Sequence, residues 1–269
     1  MNTSISILGT GWLGLPLAIR LQELGYLVKG STTSEEKVPD LKIKNIKPYL
    51  LELTESGVEG NISEFLKNST ILIINIPPGL RKNPESNFVA KIQKIFPFIE
   101  ISSVKKVLFI SSTSVFADHE NFPMITSKTS PDATNNSGKQ LLEVEELLQS
   151  NSHFKTTILR FGGLYDERRH PASMLSKRSD IKNPLAPVNL IHRIDCLGII
   201  QKIIEGNYWN QKFNAASPQH PSKYDYYSKV CREMGLSVPD YDHTVPSEGK
   251  IIDASELMSR LSYSFQTAL

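Results

Sequence analysis

Cysteine is scarce in this sequence: Cys196 and Cys231 are the only two, and they stand far apart. Neither belongs to a Cys-x-x-Cys pair, which argues against a disulfide framework or a cysteine metal knuckle, and no metal is expected. Long apolar runs are missing as well. No stretch approaches the ~20 residues that span a bilayer, so no membrane partner is expected. The opening MNTSISILGTGWLG lacks the basic start and cleavage site of a secretory signal. Its apolar stretch reads as a buried strand, and a reducing cytoplasm is the expected location. An excess of one charge is absent too: the formal net charge is +2 and the basic residues are dispersed. Nucleic acid is therefore not an expected partner. There is no internal repeat and no low-complexity tract. Self-association stays open, with nothing indicating it.

What is present is an ordinary globular composition, 39% hydrophobic and 22% charged over 269 residues. That is enough chain for one large α/β domain, alone or with a small appendage. Strand and helix patterns alternate. Strands are expected at Ser4–Leu8, Tyr26–Gly30, Tyr49–Leu53, Thr70–Ile76, Lys106–Ser111 and Thr156–Phe161. Helices are expected at Leu13–Leu24, Ile62–Lys67, Glu85–Ser102 and Ser137–Gln149. The run ILIINI is almost wholly apolar, as a parallel strand covered on both faces should be. This order predicts a doubly wound, mostly parallel sheet. After about Gly162 prolines multiply and the helices shorten, for example Ile194–Glu205 and Ser222–Met234. We expect a dinucleotide-binding domain over 1–162 and a small substrate lobe over 163–269, with elements returning to the sheet.

The segment GTGWLG, Gly9-Thr10-Gly11-Trp12-Leu13-Gly14, follows a strand and opens a helix, the context that gives Gly-x-Gly-x-x-Gly its meaning. Gly9 permits the turn, Gly11 lets backbone approach a diphosphate, and Gly14 lets the helix pack against the sheet. The helix N-terminus adds free N–H groups and a partial positive charge. A dinucleotide cofactor follows. At the end of the second strand, where an NAD site usually carries an acid on the ribose 2′-hydroxyl, stand Ser31, Thr32 and Thr33. Their hydroxyls, with Lys37 nearby, suit a 2′-phosphate, whereas an acid would repel it. NADP is the expected cofactor. NAD stays open, because Glu35 or Glu36 could reach the ribose.

GTGWLG, ISSTSVF (Ile110–Phe116), the helix carrying Lys139, ILRFGGLY (Ile158–Tyr165) and VNLIHRIDC (Val188–Cys196) occur in the order seen in extended short-chain dehydrogenase/reductases. The whole chain resembles this superfamily of Rossmann-fold NAD-dependent epimerases and dehydratases, as an atypical branch. The resemblance implies that Ser112 polarises the substrate oxygen and Lys139 holds the nicotinamide ribose. It implies cofactor contacts at Ile76 and Pro77, at the end of the fourth strand, and at Phe161, at the end of the sixth. It also implies a tyrosine four residues before Lys139, whose phenol, near pKa ~10, needs the lysine to act at neutral pH. Asn135 stands there instead. An amide does not titrate usefully, so the usual proton relay is absent. The expected chemistry is hydride transfer on a small carbonyl or sugar-type metabolite, and the rival reading is a dinucleotide-binding sensor or interaction module without turnover.

Tyr208 and Lys212 form another Tyr-x-x-x-Lys, expected to be a loop with an aromatic anchor. Asp118, His119, Tyr165 and His192 are candidates for a replacement acid, each balanced against an ordinary packed or surface role. Arg168, Arg169 and His170 could clamp a substrate anion or form a solvated loop paired to Asp166 and Glu167.

Overall fold

A computed structural model describes residues 3–269. Seven strands form the main sheet: β1 (Ser4–Leu8), β2 (Leu27–Thr32), β3 (Lys47–Leu50), β4 (Ile71–Ile74), β5 (Lys106–Ser112), β6 (Lys155–Phe161) and β7 (Lys212–Ala215). Their order is β7-β6-β5-β4-β1-β2-β3. β1 pairs in parallel with β2 and β4, β2 with β3, and β4 with β5. Successive strands thus extend the sheet one way from β1 to β3 and the other way from β4 onward. The reversal falls between β1 and β4, where such sheets open a crevice beyond their strand ends. Every residue of β1 and β4 is buried, as central strands with both faces covered require.

Helix α1 (Gly14–Glu23) buries Gly14, Leu17, Ala18 and Leu21, the i, i+3, i+4, i+7 stripe of an amphipathic helix. It stops where Gly25, at φ +87°, donates to the Gln22 carbonyl while Tyr26 N–H reaches Leu21. These two bonds form a Schellman closure. Further along lie α2 (Val38–Ile43), α3 (Ile62–Leu66), α4 (Phe88–Gln93), α5 (Phe96–Glu100) and α6 (Asn136–Ser150). The helix expected over 85–102 is thus two. Pro97, in the first turn of α5, has no N–H to continue the earlier helix but is well tolerated in a new one. The strand expected over 49–53 also divides. β3 ends at Leu50, and Glu52–Leu53 turns into an antiparallel hairpin with Val58–Glu59. Pro48 lies in β3 at the sheet's edge, where a missing donor costs no ladder bond.

The chain forms two compact units. The first comprises Met1–Ser112, Asn136–Leu159 and Ile203–Lys212; the second comprises Thr113–Asn135, Arg160–Lys202 and Phe213–Leu269. The second therefore draws on residues before 163 as well as after it. It holds two short parallel pairs, Gly163–Tyr165 with Leu190–His192 and Met124–Ile125 with Ile251–Ile252. Its aromatic core comprises Tyr165, Ala172, Val188, Leu190, Tyr226, Tyr227 and Cys231. Both cysteines are buried and free. In the first unit Trp209, not Tyr208, is the buried residue of the second Tyr-x-x-x-Lys segment, with the Lys106 ammonium 5.6 Å above its ring. Among the described residues no helix is long and apolar enough to cross a membrane, and no group of three His, Cys, Asp or Glu side chains could hold a metal.

Candidate dinucleotide site

The glycine turn is built around close approaches that exclude side chains. A Cβ on Gly9, at φ +101°, would meet the Asn75 carbonyl oxygen at 2.6 Å. One on Gly14 would meet the Gly9 carbonyl oxygen at 2.1 Å. Gly11 is the opposite case, with nothing within 4 Å of such a Cβ. The turn thus packs tightly beneath Gly9 and Gly14 and faces open space at Gly11. Helix α1 starts without a side-chain cap and without an acid in its first turn. Neither a capping side chain nor a first-turn carboxylate therefore offsets the positive end of its dipole.

Neighbouring strands fix the turn. Gly9 N–H donates to Ser31 Oγ at 2.9 Å, and Thr10 donates to the Ser31 carbonyl through both its N–H (2.9 Å) and its hydroxyl (2.6 Å). From the other side Asn75 Nδ2 donates to the Gly9 carbonyl at 2.9 Å. At the end of β2 the Thr32 hydroxyl accepts from Ser34 N–H at 3.1 Å, which bends the chain away from the sheet. Thr33 is left exposed at that bend.

These strand ends surround a cavity of about 330 Å³. Of the expected cofactor residues it gathers Gly9, Thr10, Gly11, Thr32, Thr33, Ile76 and Pro77 on one wall system, with Lys37. Trp12, Leu13 and Gly14 continue the turn into α1 but lie outside the lining. Ser112, at the end of β5, and Lys139, exposed on α6, also lie outside it, as does the fully buried Phe161. The lining further includes Ser31, Leu51, Glu52, Leu53, Asn75, Pro78, Phe88 and Lys91. Of these, Ser31 alone is marked by the sequence, beside Thr32 and Thr33. Its charged members are Lys37, Lys91 and Glu52, two cations to one anion.

Asn135 lies just before α6, exposed, with its Nδ2 3.5 Å from the Ser114 carbonyl oxygen. The residues considered as replacement acids, all in the second unit, are each engaged. Asp118 pairs with Lys250 at 2.7 Å, and His119 Nε2 lies 3.0 Å from Asp132. The Ala117 amide, followed by His119, holds the Asp132 carboxyl below its usual range. Tyr165 is stacked edge-on between the rings of His170 (5.2 Å) and His192 (5.0 Å), and burial raises its phenol further. His192 accepts from Ile194 N–H through Nδ1 and sits 3.2 Å from Glu167 through Nε2. In the loop carrying Arg168 and Arg169, buried Asp166 accepts from both backbone amides and pairs with Arg193 at 2.9 Å. Asp166 and Glu167 thus also hold Arg193 and His192.

Burial also lowers the pKa of His170 and His220 below their ordinary value of 6.5. His170 accepts from Ala172 N–H at Nδ1, and its Nε2 lies 3.1 Å from the Tyr226 hydroxyl. Both histidines therefore take up a proton at lower pH in the fold than in the unfolded chain. As pH falls through about 6.5 the unfolded chain takes up protons first, so stability drops. Denaturant midpoints measured from pH 7.5 to 5 should decline across that window, and less so in His170→Gln. A midpoint that holds or rises contradicts this assignment.

No family model matches the chain. Protein YeeZ of Escherichia coli strain K12 is 29% identical over 265 residues, spanning 97% of this chain and 95% of that protein. Among solved structures, UDP-glucuronic acid 4-epimerase from Bacillus cereus in complex with NAD superposes with a TM-score of 0.78 at 17% identity, covering 99% of this chain and 94% of that one. A short-chain dehydrogenase/reductase superfamily protein from Agrobacterium tumefaciens with bound NAD gives 0.77 at 14% identity, covering 98% and 93%. The chain has the fold of these epimerases and dehydrogenases. With the matching sheet order, this bears out the doubly wound, mostly parallel architecture read from the sequence.

Proposed function

We infer that the chain binds a nicotinamide dinucleotide and uses it for hydride transfer on a small carbonyl or sugar-type metabolite. The observation that carries this reading is the asymmetry of the glycine turn. Gly9 and Gly14 have no room for a side chain, whereas Gly11 opens onto free space beside an uncapped helix start. Packing alone explains the first two. Free space at a glycine beside unoffset amides is what a diphosphate needs.

The turn from Gly9 to Gly14 would hold the diphosphate, and Thr32, Thr33, Ile76 and Pro77 would flank the adenosine half. Hydroxyls at Ser31, Thr32 and Thr33, where an NAD site carries its acid, and Lys37 beyond them favour NADP over NAD. The two-to-one excess of lysine over glutamate in the lining supports the same preference. When bound, the nicotinamide supplies a donor or acceptor of hydride. In the chain itself, Lys139 would position the nicotinamide ribose and Ser112 would polarise the substrate oxygen by donating a hydrogen bond. Asn135 can donate and accept hydrogen bonds but cannot deliver a proton, so turnover should be slow. We place this activity in the cytoplasm and expect no nucleic-acid partner.

Purified protein titrated with NADPH and NADH by fluorescence should bind both, NADPH more tightly. Association with neither overturns the reading. Consumption of NADPH with aldehydes, ketones and nucleotide sugars then separates an enzyme from a sensor. Turnover lost in Ser112→Ala and in Lys139→Ala supports the enzyme. Binding without turnover, unchanged by Asn135→Tyr, supports the sensor, which the exposed amide at that position favours as the second reading.

A further inference from the structure

Resting on that reading, we propose that Gln140 is a positioning residue that ties the Phe88–Lys91 wall of the cavity to the helix bearing Lys139. Its carboxamide is used at both ends. Oε1 accepts from Phe88 N–H at 2.6 Å, at the first residue of α4. Nε2 donates to the Ser86 carbonyl at 3.3 Å and to Asn136 Oδ1 at 3.1 Å. Asn136, at the start of α6, in turn lies 3.5 Å from the Pro84 carbonyl through Nδ2.

The first turn of a helix has N–H groups with no internal partner. In α4 one of them, Ala90 N–H, goes to the Asn87 side chain. Another, Phe88 N–H, belongs to a residue that is 1% exposed and reaches across to α6. The hydroxyl of Ser86 is buried without a hydrogen-bond partner, so the turn is held through its backbone. Phe88 and Lys91 both line the cavity. Gln140 adjoins Lys139 in sequence, so one side chain links the adenosine-side wall to the lysine assigned to the nicotinamide ribose. A leucine of similar size would keep the packing and strand the Phe88 amide.

The test is a double-mutant cycle read by NADPH titration of the full chain. Gln140→Leu should weaken binding about tenfold, because a wall that shifts to hydrate the stranded amide must return to place before the nucleotide fits. Gln140→Glu, which keeps the acceptor for Phe88, should restore most of the affinity. Lys91→Met should weaken binding in the wild-type background and add little in Gln140→Leu, because the wall is already out of place. A purely structural role predicts a lower melting temperature with additive effects on affinity. Additive variants, or unchanged affinity in Gln140→Leu, overturn this inference alone. If wild-type protein binds neither nucleotide, the functional reading fails with it.

Discussion

Replacing Gly11 with aspartate should abolish dinucleotide binding while leaving the fold intact. The open space at this position accommodates the new side chain, so the melting temperature should stay within a few degrees. The carboxylate would project where a diphosphate is expected, and like charges brought together cost several kcal/mol. At about 1.4 kcal/mol per decade this is roughly a thousandfold in affinity. Gly14→Ala should behave in the opposite way. Its Cβ would stand 2.1 Å from the Gly9 carbonyl oxygen, a backbone atom that cannot swing aside. The turn and helix must separate, at a cost of about 3 kcal/mol by analogy with overpacked cores. For a chain of this size that lowers the melting temperature by roughly 10 °C. Calorimetry and nucleotide titration of both variants distinguish the two outcomes. A destabilised Gly11→Asp, or one that still binds NADPH, removes the ligand from the explanation of this glycine.

Asp195→Ala should be among the most damaging single substitutions in the second unit. This carboxylate, fully buried near the start of α7 (Arg193–Glu205), accepts three hydrogen bonds from the last residues of the chain. They come from the Tyr263 hydroxyl at 2.8 Å, Gln266 N–H at 2.7 Å and the Thr267 hydroxyl at 2.5 Å. Alanine removes the acceptor shared by all three; the Tyr263 bond is buried and the other two part-buried, and a buried donor left unpaired costs about 1–3 kcal/mol. A loss of about 4 kcal/mol is expected, together with faster proteolysis around 263–269. Asp195→Asn keeps one acceptor and should lose less. Equal melting temperatures for wild type and Asp195→Ala would show that the segment is secured elsewhere, for instance through Leu269 N–H on Gln219.

The parts of this protein that could be read in its sequence are those where backbone geometry dictates residue type. Gly9 and Gly14 are legible because no other residue fits them. Thr32, Thr33, Ile76 and Pro77 are legible because they end strands whose apolar runs are plain, and strand ends are where such sheets bind ligands. Asn75 and Gln140 were out of reach. Their roles depend on which backbone group lies opposite, and no local pattern records that. Leu51 to Leu53 were lost for a related reason, since a strand and a hairpin arm separated by one residue look like a single strand. Lys91 and Phe88 needed α4 to begin at Phe88, and Pro97 alone marked only where that helix had to end.

The outermost strand carries a consequence for biosynthesis. β7 begins at Lys212, and the backbone just before it already receives Ile158 N–H on the Gln211 carbonyl. A nascent chain that has delivered β1 to β6 therefore leaves a raw flank on the sheet until translation has run through the whole intervening stretch. During that interval the sixth strand is an open template for any passing β-segment. Chaperone occupancy on the ribosome should be sought there first.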